Sequence, residues 1–153
     1  MSGLYDTDFN HWTLEQTAAL RAGRFQDLDL ENLAEEIEGL SKSDKRAIKS
    51  QLVRLLFHLL KLRFQPDQPS ASWRNSVQDA RFAIASIIED SPSLRNYPAE
   101  SLEAAYQKAR DKDPENPTVD TRRFPASCPW TIAQVLDERY WPIDLSKPPL
   151  DSA

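Results

Sequence analysis

The chain has 153 residues, of which only three are glycines while eleven are prolines. So few glycines argue against an all-β sandwich or barrel, because β-hairpin turns rely on residues with positive φ. They also exclude a glycine-rich phosphate-binding loop, and the single cysteine excludes a disulfide framework or a cysteine-based zinc site. The N-terminus lacks the pattern of a signal peptide and no apolar run could span a membrane, so we expect a soluble, cytoplasmic protein.

The first two helices are predicted from apolar periodicity and from capping residues. Residues 8–22 place their apolar side chains on one side, and Gly23 follows where a left-handed C-terminal residue is favoured. A second, short helix is predicted over 29–38, with Asp29 as its N-cap and Gly39 ending it.

A third helix, predicted over 44–64, carries two neighbouring apolar stripes that are wider than a surface helix needs. The stripes consist of Ile48, Leu52, Leu55, Leu59 and Leu62, and of Val53, Leu56, Leu60 and Phe64. We therefore expect this helix to lie at the centre of the fold.

The prolines, all at position 66 or beyond, divide the rest of the chain. Helices are predicted over 71–90, 98–111 and 130–136, and the proline-rich segment 113–129 is predicted to be a long loop. The expected fold is all-α, a single-domain antiparallel bundle of about five to six helices with this loop before the last short helix.

The domain boundaries follow from the positions of the predicted helices. We expect one helical domain over residues 1–145 and a flexible C-terminal tail over 146–153.

Charge is segregated along the chain, whose formal net charge is −5. Residues 1–41 carry −7, residues 42–63 carry +6 and the remainder carries −4. The basic segment could bind the phosphates of a nucleic acid, but its wide apolar face favours burial, with the acidic segment packed beside it.

A polar stripe also follows the third helix. Its members, spaced three and four residues apart, are Gln51, Arg54, His58, Lys61 and Gln65. A similar set on the fourth helix is Arg74, Gln78 and Arg81. If the two sets line one cleft, His58 is the group in it that titrates near neutral pH and could act as a general base or bind an anion. The alternative is that both sets are solvated edges of amphipathic helices.

Two other groups of residues could take part in catalysis, but each lacks a partner that the chemistry needs. Glu35 and Glu36 could pair with His58 in a hydrolytic site, but no Glu precedes a histidine by three residues, so we expect no metal site and no cofactor. Cys128 has no assured base beside it, which favours a structural thiol over a nucleophile.

Ten short segments of the sequence together form a pattern that is typical of one protein family. They are YDTDFNHW (5–12), LRAG (20–23), LAEEIE (33–38), HLLK (58–61), QP (65–66), SWR (72–74), SPSL (91–94), YxxAR (106–110), FPxxCP (124–129) and WP (141–142). Together they resemble the bacterial domain-of-unknown-function family twenty-nine, which is abundant in cyanobacteria, over about residues 4–142. The chain departs from the family pattern at 119–123, where VDTRR replaces a Glu-Thr-Gly-Leu-like stretch.

The resemblance implies an all-α fold and brings no established activity, cofactor or substrate. It implies that a site, where one exists, lies at the motif residues. These are Glu35, Glu36, His58, Lys61, Gln65, Trp73 and Arg74.

The sequence leaves three functions open. The first is a binding or interaction protein with a polar groove beside the third helix, lined by Lys61, Gln65, Trp73, Arg74 and Arg81, for a protein partner or a small anionic ligand. The second is a hydrolytic or phosphate-directed enzyme that uses His58 with Glu35 or Glu36. The third is nucleic-acid binding through the basic segment 42–63.

Overall fold

The structure, a computed structural model, describes residues 3–65, 71–111 and 124–143. Within these ranges the chain forms six α-helices, two short 3-10 helices and no strand, which confirms the predicted all-α class. The α-helices are α1 (Leu4–Thr7), α2 (Phe9–Ala22), α3 (Leu30–Phe64), α4 (Ala71–Asp90), α5 (Tyr97–Arg110) and α6 (Ile132–Leu136). In these described segments no helix has the length and apolar character needed to cross a membrane.

The chain divides into two compact units, Met1–Ser43 and Asp44–Ala153, and α3 contributes residues to both. A single domain over 1–145 stays a prediction. The predicted tail, 146–153, lies outside the described residues.

In the first unit, α2 begins and ends as its sequence predicts. Asp8 is the N-cap, and its side chain accepts a hydrogen bond from the backbone N–H of His11. Gly23 follows the helix with φ 70°, in the left-handed region that glycine adopts without strain.

A buried amide fixes the connection between α2 and α3. The side chain of Gln16 accepts a hydrogen bond from the backbone N–H of Asp29 at 2.8 Å and donates one to the carbonyl of Asp27 at 3.3 Å. Asp29, the predicted N-cap, accepts hydrogen bonds from the side chain and backbone N–H of Asn32 and from the indole N–H of Trp12. The hydrogen bonds from Asn32, followed by that from Trp12, lower the pKa of Asp29 below its usual range.

The predicted break between the second and third helices is wrong, because α3 runs without interruption from Leu30 to Phe64. Gly39 does not end a helix, and among the described glycines only Gly23 has a positive φ. A glycine within a helix costs about 1 kcal/mol relative to alanine, whereas a break would give up several backbone hydrogen bonds. Ile37 and Leu40 lie three residues apart on either side of Gly39, which is a helical spacing.

The second unit is built around the later part of α3, as predicted. Its first apolar stripe is completely buried, and the core extends to α4, to α5 and to the segment around α6. These partners are Val77, Ala80 and Ile84 from α4, Ala105, Tyr106 and Ala109 from α5, and Phe124, Trp130 and Val135 beyond it.

The elements after α4 also match the prediction closely. Pro98 lies in the first turn of α5, and α6 is shorter than predicted because Thr131 caps it in a capping box with Gln134. Of the predicted loop 113–129, residues up to 123 lie outside the described ranges, including the departure from the family pattern. Its later residues pack on the core, where Phe124 is buried.

Candidate functional site

The polar stripe of α3 faces α4. The guanidinium of Arg54 donates a hydrogen bond to the hydroxyl of Ser76 at 3.4 Å and lies 3.7 Å from a carboxylate oxygen of Asp79. One end of the stripe lies beside Trp73, which Lys61 contacts. Later residues of α3 thus meet earlier residues of α4, so these two helices run antiparallel as predicted.

Of the α4 residues that contact the stripe, Trp73 was among the predicted site residues, whereas Ser76 and Asp79 were not. Arg74 and Gln78 are exposed and Arg81 is turned to α6, whereas Trp73, Ser76 and Asp79 contact α3. Each residue along a helix turns the side chain by about 100° around the axis. A helix whose span is predicted correctly can therefore still be assigned the wrong contacting residues when its rotation is not known. The sequence signal for the correct face was Trp73 with Val77 and Ala80, which place this side of α4 toward the core.

His58 is half-buried, and its Nδ1 atom lies 2.8 Å from the backbone carbonyl oxygen of Arg54. A carbonyl oxygen only accepts hydrogen bonds, so this contact assigns the ring proton to Nδ1. In the neutral imidazole, Nε2 then carries the lone pair. The ring also lies edge-on to Phe57, with the two centroids 5.5 Å apart.

Lys61, one turn after His58, places its ammonium group over two aromatic rings. The nitrogen lies 4.8 Å from the centroid of Phe57 and 4.5 Å from that of Trp73. Both distances are within the range of cation–π attraction. Such contacts help to hold the ammonium in place. Gln65 follows directly after α3 and is half-buried.

Arg81 has a structural role that its sequence position did not reveal. It is 3 % exposed, and its Nε and Nη2 atoms donate hydrogen bonds to the carbonyls of Val135 at 2.8 Å and Gln134 at 3.3 Å. Its guanidinium carbon lies 5.3 Å from the centroid of Trp141. A helix of five residues is too short for its last carbonyl groups to find backbone partners within the helix. The side chain of Arg81 therefore donates the hydrogen bonds that these carbonyls need.

Glu35 and Glu36 lie in the first unit. Glu36 accepts a 2.6 Å hydrogen bond from the hydroxyl of Tyr5, which, with burial and the nearby carboxylates, raises the pKa of Tyr5 to about 12. Glu35 lines a shallow cavity of about 520 Å³ with Glu31, Glu38 and other residues. No group of three or more histidine, cysteine or acidic residues suited to hold a metal ion occurs in the described ranges.

Glu35 and Glu36 belong to the first unit and His58 to the second. Their pairing in a hydrolytic site stays a prediction.

Comparison with protein families places these residues in a known group. The family model described as "Domain of unknown function DUF29" matches residues 4–141, nearly the whole chain. The chain belongs to this family. Neither the curated proteins nor the solved structures yielded a significant match to this DUF29 chain.

A second group of charges in the DUF29 chain lies between α3 and α5. A shallow cavity of about 420 Å³ is lined, among the described residues, by Arg46, Lys49, Ser50, Val53 and Lys108. The basic segment 42–63 was noted in the sequence, but Lys108 comes from α5 and only tertiary structure brings it here.

Cys128 is a poor candidate nucleophile. Its half-buried thiol donates a hydrogen bond to the carbonyl of Trp130 at 3.4 Å, and burial raises its pKa. A thiol with a raised pKa is protonated at neutral pH and reacts slowly.

Proposed function

We propose that this DUF29 chain is a binding protein that takes a small anionic ligand on the α3–α4 face, beside His58 and Lys61. The observation that carries the proposal is the position of the Lys61 ammonium over the rings of Phe57 and Trp73. Aromatic rings hold the cation in a fixed position, and an ammonium group binds a ligand carboxylate or phosphate well.

Neighbouring groups on this face support the same chemistry. His58 gains a positive charge when it is protonated, and Arg74 adds an exposed guanidinium on the first turn of α4. Gln65, at the end of α3, offers both a donor and an acceptor. Arg81 is not included, since its Nε and Nη2 atoms bind carbonyls of α6.

The experiment is an isothermal titration of the full chain with inorganic phosphate, acetate and citrate. The Lys61→Met variant removes the charge while keeping an apolar chain against the rings. We expect saturable binding of at least one probe and about a tenfold or greater loss of affinity in Lys61→Met. Lys45→Met is the matched control, because Lys45 lies on the same helix with its ammonium 5.7 Å from the centroid of Tyr97. No saturable binding, or an equal loss in both variants, would contradict the proposal.

A hydrolytic or phosphate-directed enzyme is not proposed, because Glu35 and Glu36 belong to the first unit and His58 to the second. A bacterial, cytoplasmic location is part of the proposal, and the unpaired thiol of Cys128 is compatible with a reducing compartment.

Nucleic-acid binding is a second candidate, favoured by the cavity at which the basic residues Arg46, Lys49 and Lys108 come together. Phosphate contacts release counterions, so binding of labelled DNA or RNA should weaken steeply as salt rises. In a mobility-shift titration at low salt, Lys49→Glu and Lys108→Glu should weaken binding, whereas Arg63→Glu, in the same basic segment but not lining this cavity, should not. Absence of a shift at low salt would eliminate this candidate.

A further inference from the structure

Arg81 has one buried nitrogen atom that its hydrogen bonds to α6 do not use. This atom, Nη1, has no hydrogen-bond partner within the described part of the chain. Nε and Nη2 form one edge of the planar guanidinium, and that edge binds the carbonyls of Val135 and Gln134. The N–H groups of Nη1 therefore point away from these two carbonyls. A buried donor without a partner is costly and rare in folded proteins, so this one calls for an acceptor.

The guanidinium of Arg81 is held in place before any ligand binds. The residue is 97 % buried by its 3 % exposure, and its guanidinium carbon lies 5.3 Å from the centroid of the Trp141 ring. Burial lowers the pKa of Arg81, while the negative charges of Asp137 and Glu138 oppose that shift. An arginine side chain nevertheless stays protonated in proteins. The donor is thus charged and positioned in advance, which reduces the ordering that binding requires.

Arg81 lines a cavity between α4 and the segment that follows α6. The cavity has a volume of about 390 Å³, which suits a small molecule, and the described residues that line it with Arg81 are Gln78, Asp79, Phe82 and Glu138. All of them belong to the second unit. Two carboxylates and one guanidinium line this cavity, so its net charge is negative. A ligand with one negative and two positive groups complements it.

The cavity offers a contact for each part of such a ligand. Asp79 is exposed and lies 3.7 Å from Arg54, near the outer limit of an ion pair, and Glu138 is also exposed. Both carboxylates can accept hydrogen bonds from an ammonium group. Phe82 is 71 % exposed, and its ring can cover an aliphatic chain or attract a cation. Gln78 adds an amide that both donates and accepts.

We propose that this cavity binds a basic amino acid, whose carboxylate accepts a hydrogen bond from Nη1 of Arg81 and whose ammonium groups contact Asp79 and Glu138. A simple anion lacks the ammonium groups and is repelled by the two carboxylates. A diamine lacks the acceptor that Nη1 requires. The site is separate from the α3–α4 face around Lys61 and does not rest on the function proposed there.

Titration of the full chain with L-lysine, followed by NMR chemical shifts, tests the proposal. We expect saturable binding of L-lysine. The diamine cadaverine, which is lysine without the carboxylate, should bind about tenfold or more weakly, because the hydrogen bond between two charged groups at Arg81 is lost. L-norleucine, which lacks the side-chain ammonium, should bind about threefold or more weakly, because a contact with an exposed carboxylate is lost.

Two variants assign the binding to this cavity. Glu138→Gln should weaken the binding of L-lysine by about threefold to fivefold, since a pair of exposed charges contributes modestly. Glu89→Gln is the matched control, because Glu89 is exposed on α4 and does not line the cavity, and it should leave the dissociation constant unchanged.

The contact of Arg81 itself is best observed without a substitution, since this residue also supports α6. In a crystal structure of the chain with L-lysine, a carboxylate oxygen of the ligand should lie about 2.7–3.2 Å from Nη1.

Several results would overturn the proposal. They are the absence of saturable lysine binding, equal affinity for lysine and cadaverine, and equal weakening by the two variants. A crystal structure in which only a water molecule, or another part of the ligand, lies beside Nη1 would do the same. None of these results bears on anion binding at Lys61, which is measured with other probes and another variant.

Discussion

The Nε atom of Arg81 donates a hydrogen bond to the backbone carbonyl oxygen of Val135 at 2.8 Å, and this bond joins α4 to α6. A second donor of the same side chain reaches the carbonyl of Gln134. A buried guanidinium thus positions a helix of only five residues, for which backbone hydrogen bonds within the helix are too few.

Replacing Arg81 with methionine should destabilise the second unit. The change removes two hydrogen bonds and leaves the carbonyls of Gln134 and Val135 without these donors, so we expect a loss of about 1–3 kcal/mol in the free energy of unfolding. Urea denaturation measures it, with Arg74→Met as the control because Arg74 is exposed on the same helix. Equal effects of the two substitutions would show that the bonds to α6 do not contribute.

Removing the hydrogen bond between the Tyr5 hydroxyl and the Glu36 carboxylate should change the pKa of Tyr5. Glu36→Gln should lower the pKa of Tyr5 from about 12 toward its ordinary value of 10, because the accepting carboxylate and its charge are lost. The difference in tyrosinate absorbance between wild type and variant, followed as the pH is raised, reports the ionisation of Tyr5. Tyr106, whose pKa is raised to about 12 chiefly by burial, should titrate alike in both proteins and serves as an internal control.

The same raised pKa makes stability depend on pH. A group whose pKa is higher in the folded state contributes stability that is complete below its unfolded value. For Tyr5 this contribution should be complete below pH 10 and be lost as the pH rises through about 12. Glu36→Gln should flatten this part of the stability profile, as measured by denaturation at a series of pH values. An unchanged profile would contradict the assignment.

Two glycines should respond in opposite ways to alanine. Gly39 lies inside α3 with no atom within 4 Å of an added Cβ, so Gly39→Ala should stabilise the chain by about 0.5–1 kcal/mol. Gly23 has φ 70°, where a side chain is strained, so Gly23→Ala should destabilise it by about 1 kcal/mol. Thermal unfolding at a fixed protein concentration compares them. Destabilisation by Gly39→Ala would indicate a break in the helix there.

Cys128 should react slowly with iodoacetamide at neutral pH. Burial raises its pKa, so the rate should lie below that of free cysteine and increase only at more alkaline pH. Mass spectrometry follows the modification, with the urea-unfolded chain as the control for full reactivity. A rate equal to that of free cysteine in the folded chain would contradict the buried environment.

Much of the fold followed from local pattern. The buried stripe of α3, the glycine at Gly23 and the span of α4 depend on periodicity and capping, which act within a few residues. The break expected at Gly39 failed because a glycine is compatible with either a helix end or a helix interior. The choice depends on whether the following residues stay in phase with the helix, which a single position does not reveal.

The site depended on longer-range information. The sequence by itself determined that His58 and Lys61 share one side of a helix, because that follows from spacing alone. Tertiary structure decided that Trp73, and not Arg81, faces them, since this depends on the rotation of α4 in the core. It also decided that Arg81 binds α6 and that Lys108 joins Arg46, because residues far apart in sequence meet only when the helices pack.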